Sequence, residues 1–461
     1  MSDALPLPPR PHLDQYKKLA RDLQRACRSG ETDAIHAWAV RWLQTVARLQ
    51  GVEVTADRQR SIDRDATRVT QHWQALTSSH ERAGRCLLAD VQFFIARQHG
   101  FASWPKFAHH VEMLTRVDSP VSNFEAAVDA IVRGDAATLR QLLRDHPELA
   151  HARSTREHQS TLLHYVSANG IEDFRQQTPA NIVEIATLLL DAGADVNAES
   201  EAYGGGSTAL GLAATSGHPE QAGVQIALLE TLLARGAVIE PSAVTDETAA
   251  AGAKERRAGG SVRSCLANGQ PRAARFLAER GASLDFETAA GIGRLDLVQR
   301  AFDEHGRLHP DITPQQVASG FAYACGYDHV EVVRFLLEKG LDPATHTRDG
   351  EMGLHWAAVN AYIEVLDLLL RHGAPVDARD NVHHGTPLDW AYYGWVTTSD
   401  AAKRERGYAA VARLVRAGAA VDREWVNSLT AQHRPPDARM EAALRGELLE
   451  DSGDASHDAT E

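Results

Sequence analysis

Cysteine, positive charge and long apolar runs are all in short supply. Only 4 of the 461 residues are cysteine, and Cys27, Cys86, Cys265 and Cys325 lie far apart, with no C-x-x-C pair and no neighbouring histidine ladder. That spacing argues against a disulfide framework and a structural zinc site, and it predicts four reduced thiols in a cytosolic chain. No stretch of 18 apolar residues occurs, and the opening MSDALPLPPRPHLDQYKK has no apolar run ahead of its first charges. Neither a membrane span nor a cleaved signal peptide is expected, although export by a signal-independent route stays open. With 48 Lys plus Arg against 62 Asp plus Glu, the net charge is −14. General nucleic-acid binding is disfavoured, because it needs excess positive charge to displace counterions from phosphate.

Catalytic signatures are missing as well. There is no G-x-S-x-G, no H-E-x-x-H and no Ser-His-Asp order, and the run Gly204-Gly205-Gly206 lacks the lysine and spacing of a phosphate loop. His305 and His309 stand four apart, but Gly306 and Pro310 interrupt the helix that would align them. The expectation is a chain that is not an enzyme, with no cofactor, no metal and no membrane partner.

What is present is a 43% hydrophobic composition, enough for a sizeable core divided among two or three domains. The charge is unevenly spread: residues 1–118 carry +4, residues 119–445 carry −12 and the last 16 carry −6. Residues 1–12, with Pro6, Pro8, Pro9 and Pro11, read as an extended, flexible lead-in outside the core. From residue 13 to 118 apolar side chains recur at helical spacing: Leu13, Tyr16, Leu19 and Leu23 up to Gly30, then Ile35, Trp38, Trp42 and Val46 up to Gly51. A weaker helix surrounds Trp73 and Leu76, one runs from Leu88 to Gly100, and one follows Ser103 and Pro105. The spacing predicts a small helical domain. At the other end, 431–461 reads as an acidic, disordered tail, above all GELLEDSGDASHDATE.

Between them lies an internal repeat. Its clearest copy is DGEMGLHWAAVNAYIEVLDLLLRHGAPVDARD, from Asp349 to Asp380. The glycines closing successive second helices fall at Gly193, Gly236, Gly281, Gly340, Gly373 and Gly418, with a degenerate copy at Gly306; the underlying period is about 33 residues with insertions. The recurring T-P-L-H-x-A-A, the mid-repeat glycine and G-A-D-V-N-A resemble the ankyrin-repeat family over roughly 124–427. Met352-Gly353 departs from Thr-Pro, and Gly211 and Asp389 depart from the histidine. The helical head, through ADVQFFIARQHGFASWPKFAHHVE, is similar to lead segments of bacterial ankyrin-repeat proteins.

The resemblance implies an all-α solenoid over 119–430, built of helix-turn-helix-finger units, with a capping copy at each end. Thr161, Thr208 and Thr386 should cap first helices. Leu162, Leu163, Leu188, Leu189, Leu354, Leu366, Leu369 and Leu370 should be core. His164 and His355 should bridge backbone groups between repeats rather than hold metal, and Tyr165, Phe321, Trp356 and Trp390 should face the core. The insertions at 170–181, 217–225 and 394–407 should project from one edge of the stack.

The expected function is a scaffold or adaptor that binds a protein partner through finger loops and concave face as a monomer. On the fingers the family pattern places contact residues at Glu157, His158, Ser160, Tyr203, Arg348, Asp349, Glu351, Val382 and His383. On the first helices it places them at Asn169, Ser216, Asn268 and Asn360. The alternative makes the repeats a targeting arm, as in a delivered effector or a regulatory subunit, with activity in the helical head.

Overall fold

The computed structural model describes residues 5–8, 11–29, 31, 33–49, 55–77, 86–168, 172–175, 177–240, 260–432 and 435–447. The chain divides into two compact units, Met1–Arg257 and Ala258–Glu461.

The first unit begins with five helices, Leu13–Ser29, Ala34–Leu49, Ala56–Thr77, Leu88–Gln98 and Trp104–Leu114. Each turns one apolar stripe inward. Tyr16, Ala20 and Leu23 are buried on the first helix, Trp38, Trp42 and Val46 on the second, and Ile62, Ala66, Val69 and Trp73 on the third, the spacing of a helix face. These side chains form one core with Phe94, Ile95, Phe101, Phe107 and Val111. A histidine sits inside it. His99 stacks on Phe107 at 5.2 Å and meets the edges of Tyr16 and Trp42 at 5.3 and 5.4 Å.

Two expectations about this head are corrected. Residues 5–8 are not outside the core: Leu5 is buried, its N–H donates to the Gln98 carbonyl at 2.6 Å, and its own carbonyl lies 2.9 Å from His99 Nδ1. A single buried leucine and one backbone pairing anchor a segment too short to show periodicity. Cys27 and Cys86 are joined in a disulfide with their Cα atoms 6.0 Å apart, whereas Cys265 and Cys325 are buried free thiols.

The first unit continues with Pro120–Arg133, Ala136–Asp145, short 3-10 turns at Pro147–Ala150 and Leu162–Ser167, then Ile182–Asp191, Ala209–Thr215, Gly217–Gln221 and Gln225–Ala234. A two-stranded antiparallel finger pairs Glu199–Ser200 with Ser207–Thr208, and Gly204, Gly205 and Gly206 form its turn at positive φ. The second unit holds helix pairs from Gly260–Ala267 and Pro271–Glu279 through Gly353–Asn360 with Ile363–Arg371 to Pro387–Thr397 with Ala401–Arg416, followed by Arg423–Gln432 and Ala438–Ala443. Its core runs without a break from Phe286 to Leu444.

The glycines predicted to close second helices, Gly193, Gly236, Gly281, Gly340, Gly373 and Gly418, all have φ between 82 and 102°, the left-handed conformation that only glycine adopts at little cost. Six of the eight expected core leucines are fully buried; Leu188 and Leu370 are half-buried. Three further readings change. Part of the tail is ordered, because Met440, Ala443 and Leu444 enter the core and Asp437 caps their helix through the Met440 N–H at 2.9 Å; residues 448–461 lie outside the described residues. The three insertions do not simply project. Glu172, Pro219, Gln225, Trp395 and Val396 from them are all buried. Finally, Phe321 is not the counterpart of Trp356. The first helices of these two repeats end at Asp328 and Ala361, both at positive φ, and counting back from those ends pairs Trp356 with Tyr323.

Candidate functional site

Two fingers of the second unit present the predicted contact residues as a fixed surface. In the first, His346 and Met352 pair across the loop, the Thr347 N–H donates to the Glu351 carbonyl at 2.9 Å and Gly350 N–H to the Thr347 carbonyl at 3.0 Å. Arg348 and Asp349 are thereby held at the tip, both exposed. Gly350 is needed there twice over: its φ is +77°, and a Cβ would lie 2.9 Å from the Asn381 side chain of the next finger.

The second finger is organised by one buried carboxylate. Asp380 accepts N–H bonds from Val382 at 2.9 Å, His383 at 2.6 Å and Gly385 at 2.9 Å, and the Trp390 indole N–H at 3.1 Å. Burial alone would raise its pKa, but these donors outweigh it and hold the carboxyl down at about 2. Val382 is left 56% exposed with His383 beside it. The fingers are tied to each other, with the Asn381 N–H donating to the Asp349 carbonyl at 2.8 Å.

Behind the tips lie the aromatic side chains. The Trp356 and Trp390 rings meet edge to face at 5.4 Å, and His383 stands 6.4 Å from Trp390. Of the four residues expected to face the core, Phe321, which lies outside this position, is completely buried, whereas Tyr165, Trp356 and Trp390 are half-buried, as is Tyr323. Trp356 packs on Gly326 and Tyr323 on Gly291, glycines of the preceding first helix. Glu351 is half-buried beside them. Burial, with Asp349 and Asp380 adding to it, pushes its carboxyl above the usual range.

Other predicted contact residues have structural work instead. Ser216 is buried and donates to the Ala168 carbonyl at 2.7 Å. Asn360 donates to Gly326 and Trp356 carbonyls at 3.3 and 3.1 Å and accepts from Lys403 at 3.1 Å. Both link the end of one first helix to the end of the preceding one. Asn268 is exposed and bonds within its own helix, to the Ser264 carbonyl at 2.8 Å. Tyr203 is 48% exposed at a positive φ, and exposed Glu157 pairs with Arg97 of the helical head. Asn169 lies outside the described residues.

His158 and Ser160 are a correction, since both are buried. His158 Nε2 lies 3.0 Å from Glu172 and its Nδ1 2.9 Å from Ser160 Oγ. They belong to a buried cluster that the sequence did not announce. Arg156 lies 2.6 Å from Glu125 and 3.5 Å from Glu172; Arg175 also pairs with Glu125, and with Glu172 at 3.3 Å; Tyr165 donates to Glu172 at 2.7 Å. Burial raises the carboxyls, but the two guanidinium groups outweigh it and hold Glu125 down at about 2 and Glu172 well below its usual range. His110, on the last helix of the head, bonds Thr155 at 2.7 Å and lies 4.0 Å from Glu125. The cluster fastens the head to the first repeats. Its one sequence signal was Glu125 itself, a carboxylate in the apolar stripe formed by Val121, Val128 and Val132.

The repeat histidines act as expected. His164 receives the Thr161 N–H at 3.1 Å and contacts the Ser207 carbonyl at 3.0 Å; His355 receives the Met352 N–H at 3.1 Å and contacts the Gly385 carbonyl at 3.2 Å. Among the described residues no three His, Cys, Asp or Glu side chains are grouped to hold a metal ion, and no helix is long and apolar enough to cross a membrane.

Residues 286–380 match the family model for ankyrin repeats, in three copies. Among solved structures, the human ASB11 ankyrin repeat domain is 18% identical, covering 64% of this chain and 99% of its own, with a TM-score of 0.32. The ankyrin repeat domain of Bcl-3, a member of the IkappaB family, is 19% identical, covering 57% and 92%, with a TM-score of 0.27. No curated protein sequence matches. The family match falls on the segment whose fingers and helix pairs are described above, and residues 286–380 are ankyrin repeats.

Proposed function

We propose that this chain is a non-enzymatic protein-binding module that recognises a protein partner through the fingers at 346–352 and 380–385 and the half-buried aromatic face behind them. Ankyrin repeats are in general protein–protein interaction modules, and here the reading rests on the fixed finger pair. Arg348, Asp349, Val382 and His383 are exposed, yet their loops are locked by the Asp380 carboxylate and the Asn381–Asp349 backbone bond. A surface ordered before binding loses little entropy on association. Glu351 adds a charge at its edge.

The test is reversal of charge at two positions, Arg348→Glu together with Glu351→Arg. A partner is first recovered with the full chain by affinity capture, and its affinity for wild type and variant is then measured by calorimetry. The reading expects markedly weaker binding with the melting temperature unchanged. Unchanged affinity would remove the finger pair from the recognition surface.

A further inference from the structure

The chemistry of the finger face narrows the kind of partner. Three carboxylates are carried by the two fingers: Asp349 at one tip beside Arg348, Glu351 at its base and Asp380 bonded to the Trp390 N–H. None of the three is in an ion pair among the described residues, although ion pairs are frequent elsewhere in this unit, as between Arg263 and Glu287, Arg334 and Glu364, or Arg413 and Asp367. The face extends further along the unit. Tyr323 stands at the position of Trp356 in the preceding repeat and is half-buried like it, so the row of rings Tyr323, Trp356 and Trp390 runs on along the unit; the nearby Glu287 is already paired with Arg263.

Such a surface has one complementary ligand. Ring faces of tryptophan and tyrosine attract cations through their quadrupole, most strongly where water is partly excluded, and a half-buried carboxylate without a counter-charge gains more from an incoming cation than an exposed one does. An acidic segment would meet repulsion from the same groups, and a wholly apolar one would bury Glu351 further with no charge to offset it. We propose that the aromatic face of Tyr323, Trp356 and Trp390 docks a basic, extended peptide segment of the partner protein, with a lysine or arginine side chain laid against the indoles and its charge beside Glu351. This rests on the protein-binding reading above and adds the chemistry of the partner.

A random-sequence peptide library displayed on phage, selected against the full chain, supplies the probes. Selected peptides are synthesised and their affinities measured by fluorescence anisotropy with wild type, Glu351→Gln, Trp356→Leu and, as a surface control, Glu338→Gln. The expected peptides carry lysine or arginine and bind more weakly as salt is added. They lose about tenfold in affinity with Glu351→Gln and with Trp356→Leu, and a similar factor when the basic residue is replaced by citrulline or acetyl-lysine. Glu338→Gln leaves affinity unchanged. Because Glu351→Gln alters no packing volume, its effect stands even if Trp356→Leu perturbs the helix. Peptides without positive charge whose binding depends on Glu351 or Trp356 would overturn the proposal and leave the protein-binding reading intact, as would basic peptides indifferent to both variants. Failure to select any saturable binder would count against both.

Discussion

Acidification should loosen the first unit well before its carboxylates titrate. His99, His110 and His164 are each almost completely buried, and burial is the main cause that pushes His99 down to about 3 and His110 and His164 down to about 4. A histidine depressed in the folded state costs nothing above its unfolded value of about 6.5; below it the unfolded chain takes up a proton that the folded chain refuses. Stability therefore falls as pH drops from about 6.5 towards 3–4. At pH 5 each histidine contributes a loss of about 2 kcal/mol, so the three together approach 6 kcal/mol, against a typical domain stability of about 5–15 kcal/mol. Glu125 and Glu172, held low by Arg156 and Arg175, stay ionised in both states over most of this window and add little. In the second unit the sign is opposite for Glu287, which burial raises to about 7. A raised carboxyl binds its proton first in the folded state, so that unit gains stability between pH 7 and 4.5, by about 1–2 kcal/mol after discounting for solvent. Amide hydrogen exchange read by mass spectrometry at pH 7.5 and 5, corrected for intrinsic rates, separates the two. Protection should fall across residues 94–111 and hold or rise across residues 286–300. His99→Leu should remove about a third of the acid loss. Equal protection of 94–111 at both pH values, or an acid loss undiminished in His99→Leu, would refute the reasoning.

Reduction of Cys27–Cys86, which are 59 residues apart, should lower the stability of the first unit by up to about 4 kcal/mol by loop closure, seen as a lower urea midpoint with reductant; an unchanged midpoint would show that the bridge contributes nothing. Glu125→Gln leaves Arg156 and Arg175 with one carboxylate between them and should cost about 3–5 kcal/mol, more than the apolar pair Glu125→Leu with Arg156→Met, because an unmatched buried charge is worse than none. Calorimetric melting ranks the two variants, and the opposite order would contradict this account. Gly394→Ala would set a Cβ 2.1 Å from the Val359 carbonyl oxygen and should cost about 1–3 kcal/mol. At Gly236, where nothing lies within 4 Å but φ is +90°, the same change should cost about 1 kcal/mol; equal costs would indicate that backbone conformation, not space, sets both.

The repeat architecture was legible because its determinants are local. A glycine that must sit at positive φ leaves the same mark in copy after copy, with a capping threonine in several, and Gly193 to Gly418 could be read one by one. Features made by distant partners were not. Leu5 finds His99 across 94 residues, and no motif of spacing ties Cys27 to Cys86. Glu172 and Arg175 looked like an exposed insertion because each is polar; they are buried because Glu125 and Arg156 supply opposite charges from 50 or fewer residues away. The finger surface was half legible. Arg348, Asp349, Val382 and His383 were placed correctly at exposed tips, whereas His158, Ser160 and Ser216 were assigned from the same pattern and are buried. Phe321 was counted into the aromatic row two residues out of register: Pro314–Gly326 has 13 residues against 8 in Gly353–Asn360, and only the positive-φ helix ends at Asp328 and Ala361 identify Tyr323 as the equivalent of Trp356.

The departures from the repeat pattern show which part of it is physical necessity. At the third position of a first helix the family favours histidine, yet what most copies keep, the one with Gly211 apart, is an acceptor for the N-cap N–H. His164 Nδ1 takes it from Thr161 and His355 Nδ1 from Met352, both at 3.1 Å. Asp389 takes it from Thr386 at 2.8 Å, Thr288 from Asp285 at 2.9 Å and Gln316 from Thr313 at 3.0 Å. Any side chain that reaches back completes the cap. Histidine alone has a second ring nitrogen, and only His164 and His355 go on to contact the next finger, at Ser207 and Gly385. Replacing His355 by glutamine should therefore keep the helix start and lose the tie to the finger that carries Val382 and His383. Amide exchange should rise at residues 383–386 and stay put at 353–356; exchange rising equally at both would mean that the cap and the tie are one interaction.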